Sequence, residues 1–148
     1  MSRVSRLALF VLVALLLVAC SGGAATQSPS AGQSASAGNA ANGDKLFHQA
    51  TLGKDNVPGC VTCHSTEKDK ALVGPSLAGI ATDAAGAFKE SGYKGTAKDA
   101  AGWLNEQIVN PNLEVVEGFQ PNVMPQNYGT ELSGQELNDL VAYLLTLK

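Results

Sequence analysis

The most constraining feature of this chain is a run of five residues, Cys60-Val61-Thr62-Cys63-His64. Two thiols three positions apart share one face of a helical turn, and an imidazole follows directly. Any fold containing this run presents two sulfurs and a ring nitrogen at one wall of a site. A redox disulfide uses such a pair, but in a βαβ setting, and no convincing strand alternation is visible in the sequence. Half a zinc site uses it too, yet no second cysteine pair exists and the only other histidine is His48. A structural disulfide is compatible with an exported chain.

The reading that uses all three side chains is covalent attachment of haem. The thiols of Cys60 and Cys63 bond two vinyl groups, and His64 ligates the iron from the same turn. One covalently bound haem c is therefore the expected cofactor. Iron then needs a sixth ligand or an open position. Met124 is the only methionine left once Met1 is removed with a signal, and it lies in the polar loop Asn122-Val123-Met124-Pro125. A lone methionine is often a core filler, but this one sits in an extended loop rather than on an apolar helix face. His48, beside Phe47, is the rival and reads as a surface or packing residue.

The first 19 residues read as an export signal. Arg3 and Arg6 precede the uninterrupted apolar run LALFVLVALLLVA, residues 7–19. Thirteen helical residues rise about 20 Å, short of a hydrocarbon core of about 30 Å. Leu17-Val18-Ala19-Cys20 resembles the lipobox of bacterial lipoproteins, in which the cysteine is acylated and becomes the new N-terminus. A diacylglycerol on Cys20 makes the anchor durable, since each buried methylene contributes about 0.8 kcal/mol. Removing Arg3 and Arg6 leaves eight Lys and Arg against thirteen Asp and Glu, a net charge of −5. That balance argues against nucleic acid and against electrostatic membrane binding. If charge guides docking, the partner's patch is basic.

Residues 20–41 follow as lipidated Cys20 and a tether of small and polar residues. Such a segment buries too little apolar surface to offset its ordering entropy. As Ser/Gly-rich coil it spans about 25 Å. The folded domain is expected over residues 42–148. Asn42 is read as the N-cap of a first helix, and a second is expected over about residues 99–110, stopped by Pro111. Ser133 to Glu136 form a capping box. Leu137, Leu140, Val141, Leu144 and Leu145 then make one apolar stripe. The expected fold is all-α, three to five helices around one haem, with the cofactor supplying apolar surface to a thin core.

On these residues the chain resembles the class I monohaem cytochromes c over essentially all of residues 42–148. Gly43 and Phe47 look like the family's first-helix pair, and Tyr143 and Leu144 like their partners in the last helix. Gly74-Pro75-Ser76-Leu77-Ala78-Gly79 matches the family's Gly-Pro-x-Leu-x-Gly loop. The resemblance implies that the Pro75 carbonyl accepts from His64 Nδ1 and so fixes the ring and its tautomer. It implies that Met124 is the second axial ligand. Trp103 either hydrogen-bonds a propionate or packs on the porphyrin. The stretch from Ile108 to Pro125, with Tyr143-Leu144, is similar to the cytochrome domain fused to subunit II of caa3-type oxidases, although the copper-site motif is missing.

The resemblance implies an electron-transfer protein rather than an enzyme, with no small-molecule substrate. Its expected partners are a quinol-oxidising complex as donor and a terminal oxidase or photosynthetic reaction centre as acceptor. Its expected location is the outer face of the cytoplasmic membrane. A fixed cytochrome subunit of such a complex is the alternative. A peroxide- or gas-binding site would need Met124 off the iron, and no distal His or Arg suggests one.

Overall fold

The computed structural model describes residues 37–148; the expected signal, Cys20 and most of the tether lie outside the described residues. The element order is α1 (Ala40–Phe47), β1 (Thr51–Leu52), β2 (Val57–Pro58), α2 (Ile80–Ala87), α3 (Ala100–Val109), α4 (Tyr128–Glu131) and α5 (Gly134–Leu144), with a 3-10 turn at Cys60–Thr62. Among the described residues the fold is thus mostly helical, with five α-helices and one two-residue strand pair, in line with the expected helical class. None of the helices in the described residues is long and apolar enough to cross a membrane.

Helices α1 and α5 form the base. Gly43 lies in α1 where any side chain would strike α5, since a Cβ there would sit 1.9 Å from the Asp139 carbonyl oxygen. Only glycine lets the two backbones approach so closely. Phe47, one turn further, is buried and packs against the Tyr143 ring at 5.3 Å. Helix α5 starts at the Ser133 capping box, where Glu136 N–H donates to Ser133 Oγ and Ser133 N–H donates to Glu136 Oε2 at 2.8 Å. Its stripe of Leu137, Leu140, Val141 and Leu144 enters the core.

One boundary differs from expectation. Asn39, not Asn42, caps α1: its Oδ1 accepts from the N–H of Ala41 and of Asn42, at 3.0 and 3.1 Å. The Asn39 N–H is itself held by Asp139 Oδ1 at 2.7 Å, a bond between residues 100 positions apart. The cap position is set by this tertiary bond, which local sequence does not reveal. The ordered domain therefore begins before residue 42, and residues 39–41 belong to it rather than to a tether.

Asp139 is almost fully buried and also accepts from Gln135 Nε2 at 2.7 Å. The Asn39 N–H beside it holds its carboxyl below the ordinary value of 3.8, with Gln135 and Asn42 adding to the effect. A carboxylate with a depressed folded-state pKa contributes stability that is present above its unfolded pKa and lost as pH falls through its folded pKa. Thermal midpoints of the wild type are therefore expected to fall below about pH 4, where an unfolded aspartate begins to protonate. Asp139→Asn should lower the midpoint at neutral pH and make the acid limb shallower. An acid limb as steep as that of the wild type would show that Asp139 is not a source of it.

The strand pair and the short helices serve the site. Leu52 pairs with Val57, and both are buried. The connecting loop is tied down by Glu131 of α4, which accepts from Lys54 Nζ and from the Asp55 N–H, both at 2.9 Å. Helix α3 follows its sequence signals closely. Asp99 Oδ1 accepts the Gly102 N–H at 2.7 Å, and the helix ends before Pro111.

Candidate functional site

Residues from all five α-helices and from the loops between them line one apolar cleft with about 1210 Å³ of empty space, counting the part open to solvent. Helix α1 contributes Phe47, the 3-10 turn and its end contribute Cys60, Cys63 and His64, and helix α3 contributes Trp103, Leu104 and Ile108. The loop before α4 contributes Phe119, Val123 and Met124, and α5 closes the back with Leu140 and Leu144.

The turn forms because Gly59 leads into it in an extended conformation, and the His64 N–H donates to the Cys60 carbonyl at 2.9 Å. Tyr128 braces the residue before Gly59: its hydroxyl donates to the Pro58 carbonyl at 2.5 Å. Both thiols are free. Burial pushes the Cys60 thiol up to about 11, whereas reactive dithiol motifs depend on a depressed value. Among the described residues, no three His, Cys, Asp or Glu side chains cluster as a metal-binding group. Cys60 is thus placed as a protonated thiol in an apolar wall, and both thiols line the cleft where a covalent bond to its occupant can form.

His64 is held by one directional bond. Its Nδ1 lies 2.9 Å from the Pro75 carbonyl oxygen. A carbonyl only accepts, so Nδ1 carries the proton and Nε2 keeps its lone pair. Burial holds the imidazole below its usual range, partly offset by the Pro75 carbonyl. At neutral pH the ring is therefore a neutral donor, the form a metal requires. The loop that delivers Pro75 is pinned on either side, by Gly74 N–H to the Cys63 carbonyl at 2.9 Å and Leu77 N–H to the Ser65 carbonyl at 2.8 Å.

Met124 lines the same cleft, and His48 does not. The His48 ring stands edge-on to Phe47 at 5.2 Å, with Nδ1 2.9 Å from the Asp44 carbonyl oxygen. The Met124 loop is braced by Asn112, which sequence reasoning did not single out. Asn112 Nδ2 donates to Asn122 Oδ1 at 2.7 Å and to Gln126 Oε1 at 2.9 Å, and the Asn122 N–H donates back to Asn112 Oδ1. One side chain thus clamps the loop on both sides of Met124.

Trp103 is in the cleft wall, but its indole N–H donates to Glu114 Oε2 at 3.0 Å, and Gln107 Nε2 approaches the same oxygen at 3.4 Å. Glu114 was not legible as a site residue. It lies 11 positions beyond Trp103, in a loop without periodicity, and only the turn after Pro111 brings it back to α3.

The cleft fits a flat apolar ring carrying iron. Its walls are aliphatic and aromatic. The donor set is two thiols, a neutral imidazole and a thioether, which suits iron in a porphyrin and not a hard cation. Met124→Ala is expected to preserve attachment at the thiols while lowering the reduction potential, because thioether ligation raises it. It should also remove the long-wavelength ferric band of sulfur–iron ligation. Survival of that band in the variant would exclude Met124 as a ligand.

Comparison with known proteins agrees with this geometry. The family model described as cytochrome c matches residues 40–148. The chain is also similar to a protein named cytochrome c from Euglena viridis, with 29% identity over 111 residues, covering 75% of this chain and 99% of that one. A class I arrangement with a covalent c-type haem at Cys60 and Cys63 is the chemistry that the cleft is built for, and this chain belongs to the cytochrome c family.

Proposed function

We propose that the chain carries single electrons between membrane complexes while held by a lipid on Cys20 at the outer face of the cytoplasmic membrane. The donor in this reading is a quinol-oxidising complex, and the acceptor is a terminal oxidase or a photosynthetic reaction centre. The observation that carries it is the convergence of His64 and Met124 on one apolar cleft beside both thiols. His64 and Met124 would both hold the iron of a haem bound there, which supports outer-sphere transfer rather than catalysis.

Haem, when bound, supplies the one-electron ferric/ferrous couple. The chain does the rest. Cys60 and Cys63 hold the group covalently, so it does not dissociate between encounters. Pro75 fixes the orientation and tautomer of His64. The aliphatic walls keep water from the ring faces, and Asn112 holds the Met124 loop in place. The anchor and the residues that follow it keep the carrier at high effective concentration near its partners.

Intact mass of the protein from detergent-solubilised membranes tests the anchor. The expected mass is that of a chain starting at Cys20, with one haem and added acyl groups. Cys20→Ala should shift the protein out of the membrane fraction. A wild-type protein found in the soluble fraction would sink the anchored reading. Stoichiometric co-purification with an oxidase or quinol-oxidising core would replace the mobile carrier with a fixed subunit similar to the caa3-type cytochrome domain.

A further inference from the structure

Most side chains that line the cleft are aliphatic or aromatic, and His64 enters it as a neutral ring. Glu114 is the exception. It is the only Asp, Glu, Lys or Arg among the lining residues. Any group that fills the cleft covers the wall to which Glu114 belongs and takes further water away from its carboxylate.

A carboxylate on an apolar wall has to be held by donors. Helix α3 supplies two, one turn apart on the same face. Trp103 Nε1–H donates to Glu114 Oε2 at 3.0 Å, and Gln107 Nε2 approaches the same oxygen at 3.4 Å. Both donors are uncharged. The ion pairs among the described residues are those of Asp44, Asp55, Glu67 and Glu131, so Glu114 has no cation beside it. Its carboxylate is therefore fixed in place without being neutralised. Aliphatic surroundings screen such a charge less than water does.

We infer that Glu114 sets the reduction potential of the haem that this cleft takes, by holding one uncompensated negative charge against it. This rests on the electron-carrier reading and on the covalent haem at Cys60 and Cys63. One electron converts ferric to ferrous iron, and no bond to Glu114 forms or breaks. The ferric form carries one more positive charge, so a fixed carboxylate stabilises it more and lowers the potential. The thioether of Met124 acts in the opposite direction. Glu114 is hydrogen-bonded to neither axial donor, so the two influences are separable. Met124 acts through its bond to iron, whereas Glu114 acts through the field of the wall. It is a positioning residue, and α3 determines where its charge sits.

Redox titration of the holoprotein with dissolved mediators at neutral pH reads the effect. Glu114→Gln removes the charge but keeps an oxygen acceptor for Trp103. It is expected to raise the equilibrium constant for reduction about tenfold, which is about 59 mV for a one-electron couple. Glu114→Asp keeps the charge and should stay much closer to the wild type. Trp103 is the single tryptophan, so its indole N–H gives one proton resonance in the ferrous protein. Glu114→Gln should move that resonance. An unmoved resonance would show that in the filled cleft the indole bonds another acceptor, such as a haem propionate, and would overturn the inference. So would an unchanged or lowered potential in Glu114→Gln, or an equal rise in Glu114→Asp. Loss of the sulfur–iron ferric band in Glu114→Gln would assign the residue to holding the fold, which overturns it too. Reversible one-electron cycling of the wild type leaves the carrier reading standing whatever Glu114 does. A wild type that does not cycle sinks the carrier reading itself.

Discussion

A chain carrying Cys60→Ala together with Cys63→Ala is expected to show no haem mass under denaturing mass spectrometry and to lose cooperative thermal unfolding. The first effect follows from chemistry, because no other cysteine exists in the described domain. The second follows from packing. Phe47, Leu104, Leu140 and Leu144 belong to the buried core and also line the cleft. One side of the core is thus completed only by the group that fills the cleft. Without covalent retention that apolar lining faces water, and each Å² so exposed costs about 25 cal/mol.

Helices α1 and α5 should survive best in this variant. They are joined by the Asn39–Asp139 bond, the contact at Gly43 and the Phe47–Tyr143 pair. Far-ultraviolet dichroism is therefore expected to keep much of its helical signal while near-ultraviolet dichroism flattens. A double variant that melts as sharply, and at the same temperature, as the wild type would show that the core stands without the cofactor.

Gly74→Ala is expected to destabilise the holoprotein by about 1–3 kcal/mol, the usual range for overpacking, and to shift the haem absorption bands. An added Cβ at Gly74 would lie 2.5 Å from His64 Cε1, 2.9 Å from Nδ1 and 3.0 Å from Nε2. The ring has little freedom to yield, since Nδ1 is bonded to Pro75 and the backbone of Gly74 is bonded to Cys63. Relief requires either the imidazole to tilt or the loop to lift, and both alter the ligand. Gly86→Ala supplies the control. It lies inside α2 with nothing within 4 Å of the new Cβ. Replacing a helical glycine by alanine there should stabilise by about 0.5–1 kcal/mol without any spectral change. If Gly74→Ala leaves both the spectrum and the thermal midpoint untouched, the tight seating of His64 is wrong.

How much of this was legible depended on the range of the interactions. Helix α5 could be read because its capping box and its stripe lie within a dozen residues. Helix α3 could be read because Asp99 starts it and Pro111 ends it. Helix α2, with the sequence IATDAAGA, has no apolar stripe to read; Ala84 and Ala87 are buried by what packs on them. Helix α4 is one turn long, and the strands have two residues each, too short to show a period of two. The lipobox, the tether and the anchor remain readings of sequence alone, tested by the mass experiment above.

The opening run of Cys60, Cys63 and His64 needed no fold to be understood, since covalent geometry within five residues dictates its chemistry. Sequence likewise determined Met124 as the one thioether among the described residues. Only the tertiary structure decided that Asn39 caps the first helix and that Asn112 clamps the Met124 loop. It alone placed Glu114 on the indole of Trp103 and brought Val73, Val116 and Val123 to the wall of one cleft. Those are contacts between residues far apart in the chain, and their partners are chosen by packing, which no local pattern encodes.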